Sequence, residues 1–536
     1  MSIRTESTDE RPEITDLPAL LRRSARTYAN QAAVLSNQGP LTFAAFDRMS
    51  ERVAAYLASH GIEKGDRVAL FCVNCVEFAI AYLGILKAGA TVVPVNVLLR
   101  PVEIQFILND AGARALIYHD SFEESASIVR QEMGSLTVSI TLGASRPGVI
   151  AWNEVLACEK PLARIAFDPG NDLAVILYTS GTTGKPKGAM LSHANLSANV
   201  WSVLKVLRWR PGGEVIVLVL PMFHAFAATV GMLSSLAHGC AFVPMTRFEP
   251  VQVLNRIAAT RATIFLGVPS MYSLLLRVDD DQTGLFQSIR YCVSGGAALP
   301  VSVLQQFESK FGTRIYEGDG PTECSPVTCL NPVDGETRPG TVGLAIPGVE
   351  MQVVDDNGTR VVTGEVGEIA VRGPNVMRGY WHLPEASAEV MRDGWLLTGD
   401  LGSEDQDGYF SIVDRKKDLV IVNGMNVYPR IIEEVLYRLE GILEAAVIGE
   451  PHPTHGEIPV AYVVVAEGSG LDETAIRRWC REHLGRYQIP RKFHRVSELP
   501  KNASGKILKR ELSRKGEIER GFDSSGHDGA DTEDLN

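Results

Sequence analysis

Residues 179–188 read Thr-Ser-Gly-Thr-Thr-Gly-Lys-Pro-Lys-Gly, which packs four hydroxyls and two lysines into ten positions. Glycines let backbone amides turn inward, hydroxyls add donors, and Lys187 adds charge, so this composition suits the oxygens of a polyphosphate. An apolar strand (Leu173 to Tyr178) comes directly before, and a helix that Ser192 can cap follows shortly after, a context in which phosphate loops sit. The P-loop pattern fails. Position 179 is Thr where that loop has Gly, and Pro186 follows Lys185 where Ser or Thr would reach magnesium. A plain surface loop would account for neither the hydroxyls nor the lysines.

Further segments carry chemistry in sequence order: Pro221-Met-Phe-His224, Ser294-Gly-Gly-Ala-Ala298, Asp319-Gly-Pro-Thr-Glu323, Gly367-Glu-Ile-Ala-Val-Arg-Gly-Pro374, Trp395 through Thr398-Gly-Asp400, Asp414-Arg-Lys-Lys-Asp418, and Pro500-Lys-Asn-Ala-Ser-Gly-Lys506. Together with the 179–188 loop this series resembles the adenylate-forming (AMP-binding) superfamily of acyl-CoA synthetases, peptide-synthetase adenylation domains and luciferases. The resemblance covers roughly residues 15 to 515, and the order of the motifs makes it specific.

The resemblance implies two steps: a carboxylate attacks the α-phosphate of ATP to give an acyl-adenylate and pyrophosphate, then a thiol displaces AMP. The first step brings two anions together, so positive charge and fixed donors must offset their repulsion. By resemblance, Lys506 is the catalytic lysine between carboxylate and α-phosphate. Thr179, Ser180, Gly181, Thr182, Thr183, Gly184 and Lys187 grip the β and γ phosphates, and Thr322 touches the α-phosphate. Gly295, Gly296, Ala297, Asp319 and Gly320 line the adenine site. Asp400 accepts both ribose hydroxyls, as a two-oxygen acceptor suits a cis-diol, and Arg415 is its partner. Glu323 and Thr179 are the expected protein contacts of Mg²⁺, which favours a few hard oxygens beside the phosphates. Phe223, His224 and Gly295 line the acyl pocket, Gly424 faces CoA, and Lys417 is the hinge.

Two positions depart from the family pattern. Asp319 stands where an aromatic residue usually stacks on adenine, and Asn502 replaces a threonine. Asp319 could bind the adenine amino group or face solvent, with Tyr316 a candidate substitute for the lost ring. His224, set among Phe223, Ala225 and Phe226, reads equally as a satisfied core histidine or as a group beside the carboxylate path. Small residues 295–297 and an apolar wall from Phe223 to Met232 permit a long apolar acyl chain. Gly373 to Trp381 also looks most like fatty acyl-CoA ligases. The expectation is therefore a medium- or long-chain fatty acid–CoA ligase. Alternatives are a ligase loading a carrier-protein thiol, a CoA ligase for an aromatic or alicyclic acid, and a non-catalytic nucleotide-binding protein, against which Lys506 and Glu323 together speak.

The elements that position these residues alternate. From Phe43 to Gly61 the apolar spacing is helical, Arg67 to Phe71 is a short strand, Val76 to Ala88 is helical and Thr91 to Val95 is strand-like. This predicts an α/β large N-terminal domain of parallel sheets with helices. After residue 350, short alternating strands with Gly and Asp turns, such as Met351 to Val354 and Gly367 to Arg372, predict an antiparallel β subdomain. The expected domains are 1–414, a small mobile α+β C-terminal domain at 415–514 carrying Lys506, and a disordered tail at 515–536.

The chain of 536 residues has 52 Lys plus Arg against 64 Asp plus Glu, a net charge of −12. That balance, without a dense basic block, argues against nucleic acid as a partner. The eight cysteines are scattered, which fits a reduced, cytoplasmic location. Only Cys72 and Cys75 are close, and both read as core residues. Val215 to Thr246 holds no Asp, Glu, Lys or Arg, yet Pro221, Gly231, Gly239 and Pro244 break it into buried strand, helix and strand rather than a membrane span. The expected partners are a carboxylic acid, ATP and CoA, with peripheral membrane contact and a homodimer left open.

Overall fold

The computed structural model describes residues 14–144, 146–179, 185–503 and 505–515. Ser180, Gly181, Thr182, Thr183 and Gly184 of the phosphate-loop candidates lie outside them, as does the tail from residue 516 on. The described chain divides into two compact units. The larger holds residues up to Leu299, Val303–Thr398 and Gly402–Ile412; the smaller holds Pro300–Ser302, Gly399–Leu401 and the chain from Val413 on.

The larger unit carries parallel sheets, as its continuous apolar runs require when both faces are covered. In one, the strand Arg67–Phe71 lies between Thr91–Pro94 and Ala113–Tyr118, parallel to both, and Val68 to Phe71 are all buried. This sheet ends in the antiparallel pair Leu173–Thr179 and Lys187–Ser192. The other sheet runs Ile315–Asp319, Tyr291–Ser294, Ile264–Gly267, Val215–Leu218 and Ala241–Pro244, all parallel. It continues into Ala32–Ser36, parallel to Ala241–Pro244, and the hairpin partner Gly39–Thr42. The expected antiparallel region is present, with Glu350–Val354 pairing antiparallel to Gly367–Arg372.

The charge-free segment differs from expectation in detail. Its first strand stops at Leu218 rather than Leu220: Leu218 O still accepts Met245 N–H at 2.9 Å as well as Asn74 Nδ2 at 3.1 Å, whereas Leu220 O accepts Asn74 Nδ2 at 2.8 Å. The helix is a π-helix over Phe226–Leu233, followed by an α-helical turn Ser234–Ala237. A Cβ at Gly231 would fall 2.1 Å from Leu218 Cδ2, so any larger residue would displace that buried side chain. Among the described residues no helix is long and apolar enough to cross a membrane.

In the smaller unit, Ile442–His452 and Gly456–Val465 form a long antiparallel pair, flanked by Val420–Val422 with Met425–Val427 and by the parallel strand Lys492–Arg495. Strand alternation sends Ala445 and Val447 to the face covered by the helices Pro429–Tyr437 and Glu473–His483. Ala446 and Ile448 go to the face covered by Leu499 and Leu512.

Candidate active site

Thr179 and Lys187 face each other at the mouth of a β-hairpin, paired across the strands Leu173–Thr179 and Lys187–Ser192. The expected strand before the loop and Ser192-capped helix after it are both present, with one more strand between loop and helix. The helix His193–Val206 is capped by Ser192 in a capping box with Asn195, but the six-residue strand Lys187–Ser192 separates its N-terminus from the loop. The charge at the loop therefore comes from side chains. Lys187 Nζ sits 5.2 Å from the centroid of the Tyr380 ring, and Lys185 Nζ 6.0 Å from that of Phe106.

Residues 375–381 stitch this hairpin to the turn that carries Thr322 and Glu323. On one side, Met190 N–H donates to Gly379 O, Arg378 N–H to Met190 O, and Trp381 N–H to Gly188 O at 2.7 Å. On the other, Met377 N–H donates to Glu323 O at 2.7 Å, and Asn375 Nδ2 to Cys324 O at 2.9 Å. Tyr380 closes the arrangement: its hydroxyl donates to Glu323 Oε1 at 2.9 Å while its ring faces Lys187. Burial and the neighbouring Glu323 carboxylate push the Tyr380 phenol well above its ordinary range, so it stays a donor. In the sequence the Gly-Tyr-Trp run points only to the substrate class. The bridging role of Tyr380 has no signature within any local window.

Thr322 opens a short 3₁₀ turn over Thr322–Cys324 directly after the strand Ile315–Asp319. Gly320 between them admits no side chain, because a Cβ would meet Pro326 O at 1.7 Å. Asp319 ends the strand half-buried, its carbonyl accepting from Thr328 N–H and Oγ1 at 3.0 and 3.1 Å. Tyr316 does not replace the missing ring. It is buried edge-on against Tyr291 and donates to Val333 O at 3.2 Å, so it is committed to the core. Gly295 lies on the neighbouring strand's end, where a Cβ would touch Gly318 O and the Phe226 ring, both at 3.4 Å. Gly296 has φ +77°, and Ala297 follows it.

Phe223 is buried with its ring 4.8 Å from that of His224. His224 as a residue is half-buried, but its Nε2 is buried without a hydrogen-bond partner, and burial pulls its pKa down to about 4. It is therefore a neutral imidazole near pH 7.

In the smaller unit, Arg415 Nε reaches Asp400 Oδ1 at 2.8 Å, so two candidates from separate motifs are brought together. Lys506 sits on a loop that Asn502 builds. Asn502 Oδ1 accepts Lys506 N–H at 2.9 Å, Asn502 N–H donates to Lys506 O at 2.9 Å, and Gly505 N–H donates to Asn502 O. The asparagine is thus a structural member of the lysine loop. Ion pairs brace its flanks: Lys501 with Glu444 at 2.6 Å, and Lys509 with Glu433 at 2.8 Å. Lys417 is exposed in the turn after Arg415. Gly424 follows Asn423 in a two-residue hairpin with φ of +79° and +50°, the conformation that favours Asn-Gly.

Among the described residues no group of three or more His, Cys, Asp or Glu could hold a metal ion. The donors offered by Glu323 and Thr179, a carboxylate and a hydroxyl, are hard oxygens. They fit a Mg²⁺ that takes its remaining ligands from phosphate and water.

The chain is 35% identical over 526 residues to a long-chain-fatty-acid–CoA ligase of Bacillus subtilis, covering 92% of this chain and 94% of the relative. It is 35% identical over 496 residues to a feruloyl-CoA synthase of an Amycolatopsis species, covering 92% and 97%. Among solved structures, ATP-bound MatB from Rhodopseudomonas palustris superposes with a TM-score of 0.86 at 33% identity, covering 94% of this chain and 99% of that one. Residues 431–506 match the C-terminal domain of AMP-binding enzymes. With residues 21–381 matching the AMP-binding enzyme family itself, and with the sequence motifs gathered on these two units, the chain belongs to the family of AMP-binding enzymes.

Proposed function

We propose that this chain is an ATP-dependent, AMP-forming CoA ligase for medium- or long-chain fatty acids, working in the cytoplasm. The observation that carries the reading is the bridge by Tyr380, which joins a carboxylate fit for a divalent cation to a lysine fit for phosphate. Similarity to fatty acid–CoA ligases over 92% of the chain supports the substrate class.

In the first step a carboxylate oxygen attacks the α-phosphorus and pyrophosphate leaves. Lys187 and the 179–184 hydroxyls hold the β and γ phosphates, Thr322 the α-phosphate, and Asp400 the ribose diol beside Arg415. Glu323 and Thr179 are the residues that would hold Mg²⁺, which when bound neutralises phosphate charge. Lys506 places its ammonium between the two anions, where it lowers the barrier most. A neutral His224 lines the acyl path beside Phe223 and Gly295 without adding charge to it. In the second step CoA, guided past Gly424, gives up its thiol proton; its sulfur attacks the acyl carbon and AMP leaves. Lys417 is the hinge by which Lys506 withdraws between the steps.

The test is a panel of straight-chain fatty acids and aromatic acids assayed for AMP release with free CoA. Turnover highest with C8 or longer acids is expected. Similarity to a feruloyl-CoA synthase supports a second reading, and preference for a cinnamic or benzoic acid would establish it instead.

A further inference from the structure

Cys72 and Cys75 bound the turn between the strand Arg67–Phe71 and the helix Val76–Lys87. Their sulfurs lie 3.4 Å apart. The two are not equivalent, and only one is the core residue that the sequence suggests. Cys72 is fully buried, whereas Cys75 is half-buried at the helix N-cap, its sulfur accepting the Phe78 N–H at 3.4 Å. Between them Asn74 is buried. Its Nδ2 donates to Leu218 O and Leu220 O, and its Oδ1 accepts Met222 N–H at 2.7 Å. Three hydrogen bonds thus tie the cysteine turn to the stretch of chain that runs directly into Phe223 and His224.

We propose that Cys72 and Cys75 form an oxidisable dithiol, which a low-molecular-weight disulfide converts to an intramolecular disulfide, and that the new bond strains the tether from Asn74 to residues 218–222. The sulfur of Cys75, the less buried of the two residues, attacks the small disulfide first, forming a mixed disulfide and releasing one small thiol. Cys72 then gives up its proton, its sulfur attacks that of Cys75, and the second small thiol leaves. Two protein thiols lose two electrons and two protons, and the oxidant gains both as two thiols. Burial holds the Cys72 thiol well above its usual range, in keeping with Cys75 reacting first. Closing the bond brings the sulfurs from 3.4 Å to about 2.05 Å, a contraction that a four-residue turn must absorb at or near Asn74.

Only the activity readout of this proposal rests on the CoA-ligase reading. The full-length protein is equilibrated with oxidised and reduced glutathione at rising ratios, alkylated, digested and mapped by mass. The expected result is one peptide holding both Cys72 and Cys75, unalkylated and lighter by two hydrogens, and restored by dithiothreitol. Two alkylated cysteines at every ratio, or a mixed disulfide that stops at Cys75, would overturn the dithiol. Cys75→Ser keeps an N-cap oxygen and should not form the cross-link. The tether is read separately, by hydrogen exchange of the peptide spanning 218–224: faster exchange in the oxidised wild type alone is expected, and unchanged exchange would overturn it. Acyl-adenylate formation should fall several-fold on oxidation of the wild type and not of Cys75→Ser. Should no acid prove to be a substrate, the mass and exchange measurements still decide the proposal.

Discussion

Glu323 and Lys506 both ride on short turns, but the turns are held in opposite ways. The Glu323 turn in the larger unit is fixed by main-chain and side-chain bonds from residues 375–380, more than fifty positions away. The Lys506 loop in the smaller unit is closed locally, by Asn502 four residues earlier, and braced at its flanks by two ion pairs. A locally closed loop can present a charge that is changed without loosening the rest. A site sewn from distant segments passes any loosening on to its neighbours, here from Glu323 through Tyr380 to Lys187.

The largest effect should come from the local loop. Lys506→Ala is expected to cut acyl-adenylate formation roughly a hundredfold or more while leaving thioester formation from supplied acyl-AMP nearly intact, since the charge is needed only where two anions meet. Equal loss in both half-reactions, assayed separately, would remove the lysine from that role. Lys417→Pro sharpens the same point. Proline fixes φ near −65°, so the variant should retain single-turnover pyrophosphate release and lose thioester formation. Undiminished thioester formation would move the hinge elsewhere.

Acid should act on the larger unit through two histidines. Burial lowers His193 and His224 to about 4, from an ordinary value of 6.5. The unfolded chain takes up protons near pH 6.5 and the folded one only near 4. The stability contributed by keeping them neutral is therefore complete above 6.5 and is lost as pH falls toward 4. Each pH unit over that window costs on the order of 1 kcal/mol per histidine. His224→Gln should flatten the fall in denaturation midpoint between pH 6.5 and 4; a parallel curve would show that its proton does not matter.

Tyr380→Phe breaks the long-range stitch by one hydroxyl. Losing a hydrogen bond to a charged group is worth roughly 1.5–3 kcal/mol. Roughly ten- to a hundredfold weaker affinity for ATP with Mg²⁺ is expected by calorimetry, together with a higher Mg²⁺ requirement. Affinity equal to the wild type would make Tyr380 a packing residue only. The smallest effect belongs to Asp319→Tyr. Restoring a ring should lower the Michaelis constant for ATP by an amount matching aromatic stacking, on the order of 0.5–1.5 kcal/mol. A rise would mean that the Asp319 carboxylate itself holds the base.

Much of the fold was legible in the residues alone. Arg67–Phe71, Gly367–Arg372 and the helix start at Ser192 follow from apolar periodicity and capping, which act over a few positions. The types and order of Asp400, Arg415, Glu323 and Lys506 were likewise plain in one dimension. Tertiary structure decided what depends on distant partners. It paired Ala32–Ser36 with Ala241–Pro244, set Thr179 opposite Lys187 on antiparallel strands, buried Tyr316 against Tyr291, and set Tyr380 between Glu323 and Lys187. Strand order and such bridges are settled by the sum of packing and hydrogen bonding over the whole domain, and no short window of sequence contains that sum.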